Sequence, residues 1–327
     1  MDDFDDTYRI PHLEHTPHTP SHLEVPSSAV DSESTAALPS AIDALDFIEM
    51  KFRRRKTLLT PWLPERGLAL LHGPRGAGKS FLAMSAAYTV ASGGSFLGWT
   101  ATAPQGVIYV DGEMPSDALQ ERLQGIILGA DAEIKKGSLK LLCADQNYEG
   151  LPNLTTPKGQ QWLEQEAKGC QLIVLDNIAT LIGLPENDQE HWKPIQDWLL
   201  HLRRMGFSVL LIHHQGKRAG NQRGSSARED VVDTVISLTL PGEHIIEDGC
   251  AVHIEFQKSR NFWGADAAPL DAKLLPPEDG AIRWERFEAD KEQKSKAVEL
   301  KKEGKTQREI AEQLGVHQST VSRWLRP

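Results

Sequence analysis

Eight residues, "GPRGAGKS", run from Gly73 to Ser80 and fit the pattern G-x-x-x-x-G-K-[ST]. They follow the apolar run "GLALLHG" and open "KSFLAMSAAYTVASGG", which reads as a helix that stops at Gly93-Gly94. A buried strand turning through glycines into a helix narrows the fold to a sheet with helices packed on it. Gly73, Gly76 and Gly78 let the backbone curl until its N–H groups face one point, and the helix N-terminus adds partial positive charge there. The loop as a whole, with Pro74, Arg75 and Ala77, is therefore expected to hold nucleotide phosphates. Lys79 suits the β- and γ-phosphates, and Ser80 suits Mg²⁺. A kinase, a switch and a DNA motor all use such a loop, so its purpose has to be sought elsewhere in the chain.

The pattern from 41 to 287 alternates strands and helices. "GVIYVDGE", "CQLIVLDN" and "FSVLLIHH" are further apolar strands, and continuous apolar strands separated by helices predict a parallel sheet covered on both faces. "SDALQERLQGIIL" is a helix with Ser116 as its N-cap, and "ENDQEHWKPIQDWLLHLRRM" is an amphipathic one. "DTVISLTL" and "AVHIEFQK" are expected as antiparallel strands at one edge. Asp176 ends an apolar strand, where an acid holds the Mg²⁺ shell. The next residue is Asn177, so a carboxylate that activates water has to come from elsewhere. Glu113, closing "VIYVDGE", is the first choice and Asp111 the second. His214, ahead of His213, ends "VLLIHH", where a polar side chain can sense the γ-phosphate.

Charge is unevenly spread over the 327 residues, whose net charge is −10. Residues 1–40 are acidic and rich in Pro, Ser, Thr and His, with too few apolar residues for a core, and are expected to be a disordered tail. His12, His15, His18 and His22 read there as solvated residues before they read as a metal tract. The three cysteines are far apart and fit neither a zinc site nor a disulfide framework. No apolar run is long enough for a membrane span, and "MDDFDD" is no secretory signal, so a cytoplasmic location is expected.

The C-terminal residues 288–327 are locally basic, with Lys or Arg at 291, 294, 296, 301, 302, 305, 308, 323 and 326. A charged linker, "FEADKEQKS", leads into them. Thr306 and Glu309 form a capping box, T-x-x-E. Ile310, Ala311 and Leu314 share a face, Gly315 suits the turn, and "HQSTVSRWL" is a final helix with Val321 and Trp324 inward. This spacing predicts a small three-helix helix-turn-helix domain, similar to the DNA-binding ends of resolvases and Trp-repressor-like proteins. Gln318, Ser319, Ser322 and Arg323 would face a major groove, with Lys301, Lys302, Lys305 and Arg308 on the backbone.

Taken in order, "GPRGAGKS", "GVIYVDGEMPSDALQERL", "LIVLDNIATL", "LLIHHQGK", "RGSSAREDVVDTVISL" and "KSRN" resemble the RecA-like hexameric helicases of the plasmid RepA type, the group often called AAA_25 ATPases. The resemblance covers about residues 45–275. It implies a RecA-like P-loop NTPase core of α/β class with a mostly parallel sheet, using ATP and Mg²⁺, with Glu113 as catalytic glutamate and His214 as sensor. It also implies that Arg122 packs against adenine and that Lys258 and Arg260 serve the neighbouring subunit's nucleotide. The loop bearing Lys217, Arg218 and Arg223 would face single-stranded DNA in the channel of a homo-hexamer. Residues 1–40 do not look like a helicase collar domain, which leaves processive unwinding in question. The expected function is a ring ATPase acting on DNA, a helicase or translocase of a plasmid, phage or mobile element. An ATP-dependent DNA-binding regulator or loader is the alternative, and a small-molecule kinase is the third.

Overall fold

The computed structural model describes residues 40–183, 192–214, 229–240, 250–275, 277–287, 289–314 and 318–325, with backbone alone at 287, 289–293, 319, 320 and 323. The chain falls into two units, Met1–Arg53 and Arg54–Pro327. In the first, helix α1 covers Ala44–Glu49, and the Asp43 carboxylate caps it by accepting from Leu45 N at 2.8 Å.

The strands of the second unit are β1 (Thr57–Leu59), β2 (Leu63–Pro64), β3 (Leu68–Gly73), β4 (Ser95–Phe96), β5 (Trp99–Thr100), β6 (Val107–Asp111) and β7 (Leu139–Cys143). They continue as β8 (Leu172–Asp176), β9 (Ser208–His214), β10 (Thr234–Thr239), β11 (Cys250–Ser259), β12 (Leu270–Leu274) and β13 (Trp284–Phe287). Nine of them form one sheet in the order β13-β12-β11-β10-β3-β9-β8-β6-β7. From β10 to β7 every pairing is parallel, and from β10 to β13 every pairing is antiparallel. This is a RecA-like α/β core.

Helices cover both faces of that sheet, which is why its central strands are apolar without alternation. All six residues of β3 are buried, as are all five of β6 and of β8. Along β3, Ala69 and Leu71 join the core beneath α2 (Lys79–Ser92) and α3 (Ser116–Gly129). Leu68 and Leu70 join the opposite core, under α4 (Pro157–Glu166), α5 (Ile178–Ile182) and α6 (Trp192–Met205). Helix α2 is buried almost all round, and its alanines and serines let it lie close against the sheet.

Three expectations are corrected. "DTVISLTL" is not antiparallel at an edge: β10 runs parallel to β3, pairing Thr234 with Ala69 and Ser237 with His72. An apolar run has the same composition in either direction, and only the pairing decides. Ser116 is not the N-cap of α3; Pro115 holds that position, and Asp145 accepts from Ser116 N at 2.9 Å. The charged stretch "FEADKEQKS" is helical from Ala289, as the start of α7 (Ala289–Lys302). In the nine-stranded sheet, β7, β12 and β13 are additions to the expected set, as are the short pairs β1-β2 and β4-β5 outside it.

α7 packs with α8 (Gln307–Gln313) and α9 (Gln318–Trp324) around Ala297, Ile310, Ala311, Val321 and Trp324. The capping box is present: Glu309 N donates to Thr306 Oγ1 at 3.3 Å, and Thr306 N donates to the Glu309 carboxylate at 2.8 Å. Gln318 is exposed and Ser322 half-buried on α9; Ser319 and Arg323 occupy the same helix by backbone. Gly315, the tail 1–39, and Lys217, Arg218 and Arg223 lie outside the described residues. No helix among the described residues is long and apolar enough to cross a membrane.

Candidate nucleotide site

Parallel pairing brings the carboxyl ends of β3, β9, β8 and β6 together, the place where open α/β sheets bind ligands. Gly73 of β3 is level with His214 of β9, and Asp111 of β6 is level with Asp176 of β8. Residues 73, 111, 176 and 214, far apart in sequence, therefore share one end of the sheet.

The loop from Gly73 to Ser80 leaves β3 and enters α2. A Cβ on Gly73 would stand 2.6 Å from Leu238 O, closer than any side chain is accommodated. Gly78, the N-cap, has φ 75°, a left-handed backbone that glycine adopts without cost. Lys79 is buried, and its Nζ donates to the carbonyls of Gly73 at 3.0 Å and Pro74 at 2.7 Å, which holds the ammonium at the mouth of the loop. Burial pushes its pKa down, with Asp176 and Glu113 opposing.

Asp176 is buried behind the loop. Tyr109 Oη donates to its Oδ2 at 2.5 Å, and the Ser80 side chain lies near the same carboxylate. Burial raises the Asp176 pKa, and Tyr109 and Ser80 pull it back. A buried carboxylate beside a serine hydroxyl, at the open side of a phosphate-type loop, supplies the few hard oxygens that Mg²⁺ takes from a protein.

Glu113 lies two residues beyond β6. The Asp111 Oδ1 accepts from Glu113 N at 3.0 Å and Met114 N at 2.6 Å, turning the chain so that Glu113 leaves the sheet toward the loop. Asn177 Nδ2 then donates to Glu113 Oε2, and His214 Nε2 stands 3.5 Å from that same oxygen. Glu113 is 59% exposed, unlike Asp111 and Asp176, and so is the carboxylate of the three that water reaches. Arg122 lies over the Phe81 ring at 4.5 Å and donates to Met114 Sδ at 3.2 Å, beside the start of α2.

Lys258 and Arg260 lie elsewhere. Lys258 pairs with Val235, and Val235 with Leu70, so Lys258 is level with the middle of β3, and Arg260 lies two residues further toward the amino end. Lys258 Nζ donates to Glu229 O. Arg260 Nη2 donates to Asp230 O at 2.9 Å, and its Nη1 is 3.9 Å from Asp233 Oδ1.

The structure thus brings Lys79, Ser80, Asp176, Glu113 and His214 together, places Arg122 at their margin, and sets Lys258 and Arg260 apart. Tyr109 and His72 emerge from geometry alone, and Asp111 and Asn177 take roles other than those the sequence suggested. Tyr109 seats Asp176, Asp111 and Asn177 aim Glu113, and His72 Nε2 meets Gln257 Oε1 at 2.9 Å across the small Ser237 of β10. A tyrosine and a histidine inside apolar strands give no sequence signal beyond core, because their partners are set by cross-strand register.

His72 carries a pH prediction. Burial lowers its pKa in the folded chain, so the folded state favours the neutral ring. A lowered folded value contributes stability that is present above the ordinary histidine value, about 6.5, and is lost as pH falls from there through the folded value. The urea midpoint should therefore fall on acidification below about 6.5, and His72→Gln should make that dependence shallower. An unchanged dependence in the variant would remove His72 as the cause.

Comparison with known proteins agrees with this order of parts. The model of an AAA domain family, AAA_25, matches residues 32–220, and that of a homeodomain-like domain, HTH_23, matches residues 288–326. Among solved structures, a KaiC-like protein of Pyrococcus horikoshii is similar over 68% of this chain and 91% of its own, at 17% identity and a TM-score of 0.49. The flagellar accessory protein FlaH of Methanocaldococcus jannaschii is similar over 68% and 90%, at 13% identity and a TM-score of 0.47.

Proposed function

Because the chain belongs to the AAA_25 family of AAA domains, we propose that it is a RecA-like ATPase that works as a ring, in which each site is completed by a neighbour, and that the ring acts on DNA. One observation carries the ring: Arg260 is at the opposite end of the sheet from Lys79. Arg260 N donates to Asp233 O, and Asp233 N to Leu68 O, so Arg260 is level with the start of β3. Five residues of strand, roughly 17 Å, separate that level from Gly73. Arg260 is too far to serve its own phosphate loop, which supports a role at another copy's.

The hydrolytic step follows from the cluster at the carboxyl ends. The loop amides and Lys79 hold the phosphates, and Lys79 offsets negative charge on the γ-phosphoryl group. Glu113, with Oε2 engaged by Asn177, accepts a proton from water through Oε1. That water's oxygen bonds to the γ-phosphorus as the bond to the β–γ bridging oxygen breaks, and ADP leaves. Ser80 and Asp176 would hold Mg²⁺, which would supply charge neutralisation to the phosphates. His214, between Gly73 and Glu113, is placed to register loss of the γ-phosphate. Arg122 and Phe81 form the side on which the adenine rests. Arg260 and Lys258 of a neighbouring copy add positive charge in the transition state.

The homeodomain-like match over 288–326 supports delivery to duplex DNA, with Gln318, Ser319, Ser322 and Arg323 on the reading helix. Lys217, Arg218 and Arg223 are assigned to single-stranded DNA in the ring channel. The finer assignment is to a helicase or translocase of the RepA type, cytoplasmic, hexameric, and serving a plasmid, phage or mobile element. ATPase rate with and without single- and double-stranded DNA, together with strand displacement on a forked substrate, tests these statements. Single strands should stimulate turnover severalfold and the fork should be unwound. Stimulation without unwinding would leave a DNA-bound regulator, and indifference to all DNA would remove DNA as the substrate.

A further inference from the structure

The protein has eight tryptophans, and one is unlike the rest. Trp62, Trp99, Trp192, Trp198 and Trp324 are each no more than 4% exposed, and Trp162 and Trp284 are half-buried, whereas Trp263 is 80% exposed. An exposed indole costs solvation free energy and is enriched where a surface becomes buried in a complex.

The segment that leads into Trp263 is also tied to the sheet. It lies in the connection between β11 and β12, three residues after Arg260. On one side the backbone is pinned by Arg260 N donating to Asp233 O at 3.0 Å. On the other, Phe262 is buried and packs edge-on against Phe256 at 5.0 Å, and Phe256 meets Trp99 at 6.1 Å. Trp263 itself is extended, with φ −156° and ψ −179°, so it projects away from the side on which Phe262 is anchored. Ala265, Ala268 and Pro269 beside it are exposed as well. A side chain presented on a fixed backbone loses little further freedom on binding, which is the property of an interface anchor.

We propose that Trp263 is an anchor of the subunit interface, and that its occupant is a second copy of this chain. The argument for that occupant is continuity. Arg260 and Trp263 share one short segment, no more than roughly 11 Å of chain apart, so a copy that receives Arg260 at its phosphate loop would have Trp263 within reach of its surface. This rests on the reading of Lys258 and Arg260 as residues that serve a neighbour. It adds that the same segment holds the ring together, which a purely catalytic role for the pair does not require.

Sedimentation velocity of the full chain, with ATPγS and Mg²⁺ over a range of protein concentration, tests it. Trp263→Ala should require about 30-fold more protein to reach the same degree of assembly, and Trp263→Phe should recover part of the loss. Affinity for a fluorescent ADP analogue, measured at a dilution where the protein is monomeric, should be unchanged, since Trp263 is remote from its own loop. Assembly of Trp263→Ala at the wild-type concentration overturns the proposal. If that variant also binds a single-stranded oligonucleotide more weakly, the indole belongs to nucleic acid instead. Arg260→Ala keeps the two ideas apart: a variant that assembles but does not turn over upholds the neighbour-completed site whatever Trp263 does. A wild type that stays monomeric throughout removes both.

Discussion

Glu113→Gln should lower ATP turnover about 10³-fold while leaving ATP affinity within a factor of about two. The size follows from what is removed. A positioned general base contributes about 10²–10⁴ in rate, and 10³ corresponds to about 4 kcal/mol of transition-state stabilisation. Glutamine keeps the shape and the Asp111-capped turn, and it keeps an acceptor for Asn177 Nδ2 and for His214. On the proposed mechanism, what is lost is the group that takes the proton from water. Ground-state contacts to the nucleotide come from the loop and Lys79, so affinity has little reason to change. Single-turnover hydrolysis, with binding followed separately by a fluorescent analogue, separates the two quantities. Asp111→Asn is the informative companion. Asp111 is buried and already committed to Glu113 N and Met114 N, and its pKa is raised chiefly by burial, so it acts by aiming Glu113. Full activity in Glu113→Gln would overturn the assignment.

How far this site was legible in the sequence depended on which physical rule each residue obeys. The phosphate loop, Asp176 and the helix α2 were legible because their signals are local: glycines where the backbone must curl, an acid closing an apolar strand, small residues in a helix buried on all sides. Glu113 was legible by elimination, once Asn177 was seen after Asp176. The support of Glu113 was not. Asn177 looked like the absence of a base, and its contribution, a hydrogen bond to Glu113 from the next strand over, depends on β6 lying beside β8. The direction of β10 was missed for the same reason, since an apolar strand carries no mark of its partner. The edge strands β12 and β13 were missed because "LDAKL" and "WERF" mix charge with apolar residues and are too short to show a period of two. Trp263 had a signal that was overlooked: it follows "KSRN" almost directly, and a tryptophan among Gly, Ala and Asp has no core pattern around it.

Arg260→Ala should reduce turnover about as severely, roughly 10³-fold, yet by a route that another subunit can repair. Its guanidinium is tethered to Asp230 O and stands 3.9 Å from Asp233 Oδ1, at the amino end of the sheet, while the phosphate loop is at the carboxyl end. Inside one chain the two never meet. An Arg260→Ala subunit therefore has a complete loop, Glu113 and His214, and lacks only what it would give away. A Glu113→Gln subunit has the converse defect: it binds nucleotide without hydrolysing it and still offers Arg260. Co-expressed in equal amounts, each inactive alone, the two should recover activity, because a site on an Arg260→Ala subunit beside a Glu113→Gln neighbour has every group. Random pairing across head-to-tail interfaces makes about a quarter of the sites complete. The ATPase rate of the purified mixed assembly, set against the two parents, measures this. Recovery cannot arise if Arg260 acts on its own nucleotide, since neither subunit then holds both groups. A mixed assembly as inactive as its parents would place Arg260 outside the reaction of a neighbour and would reduce "KSRN" to a charged strand end that holds Asp230 and Asp233 in place.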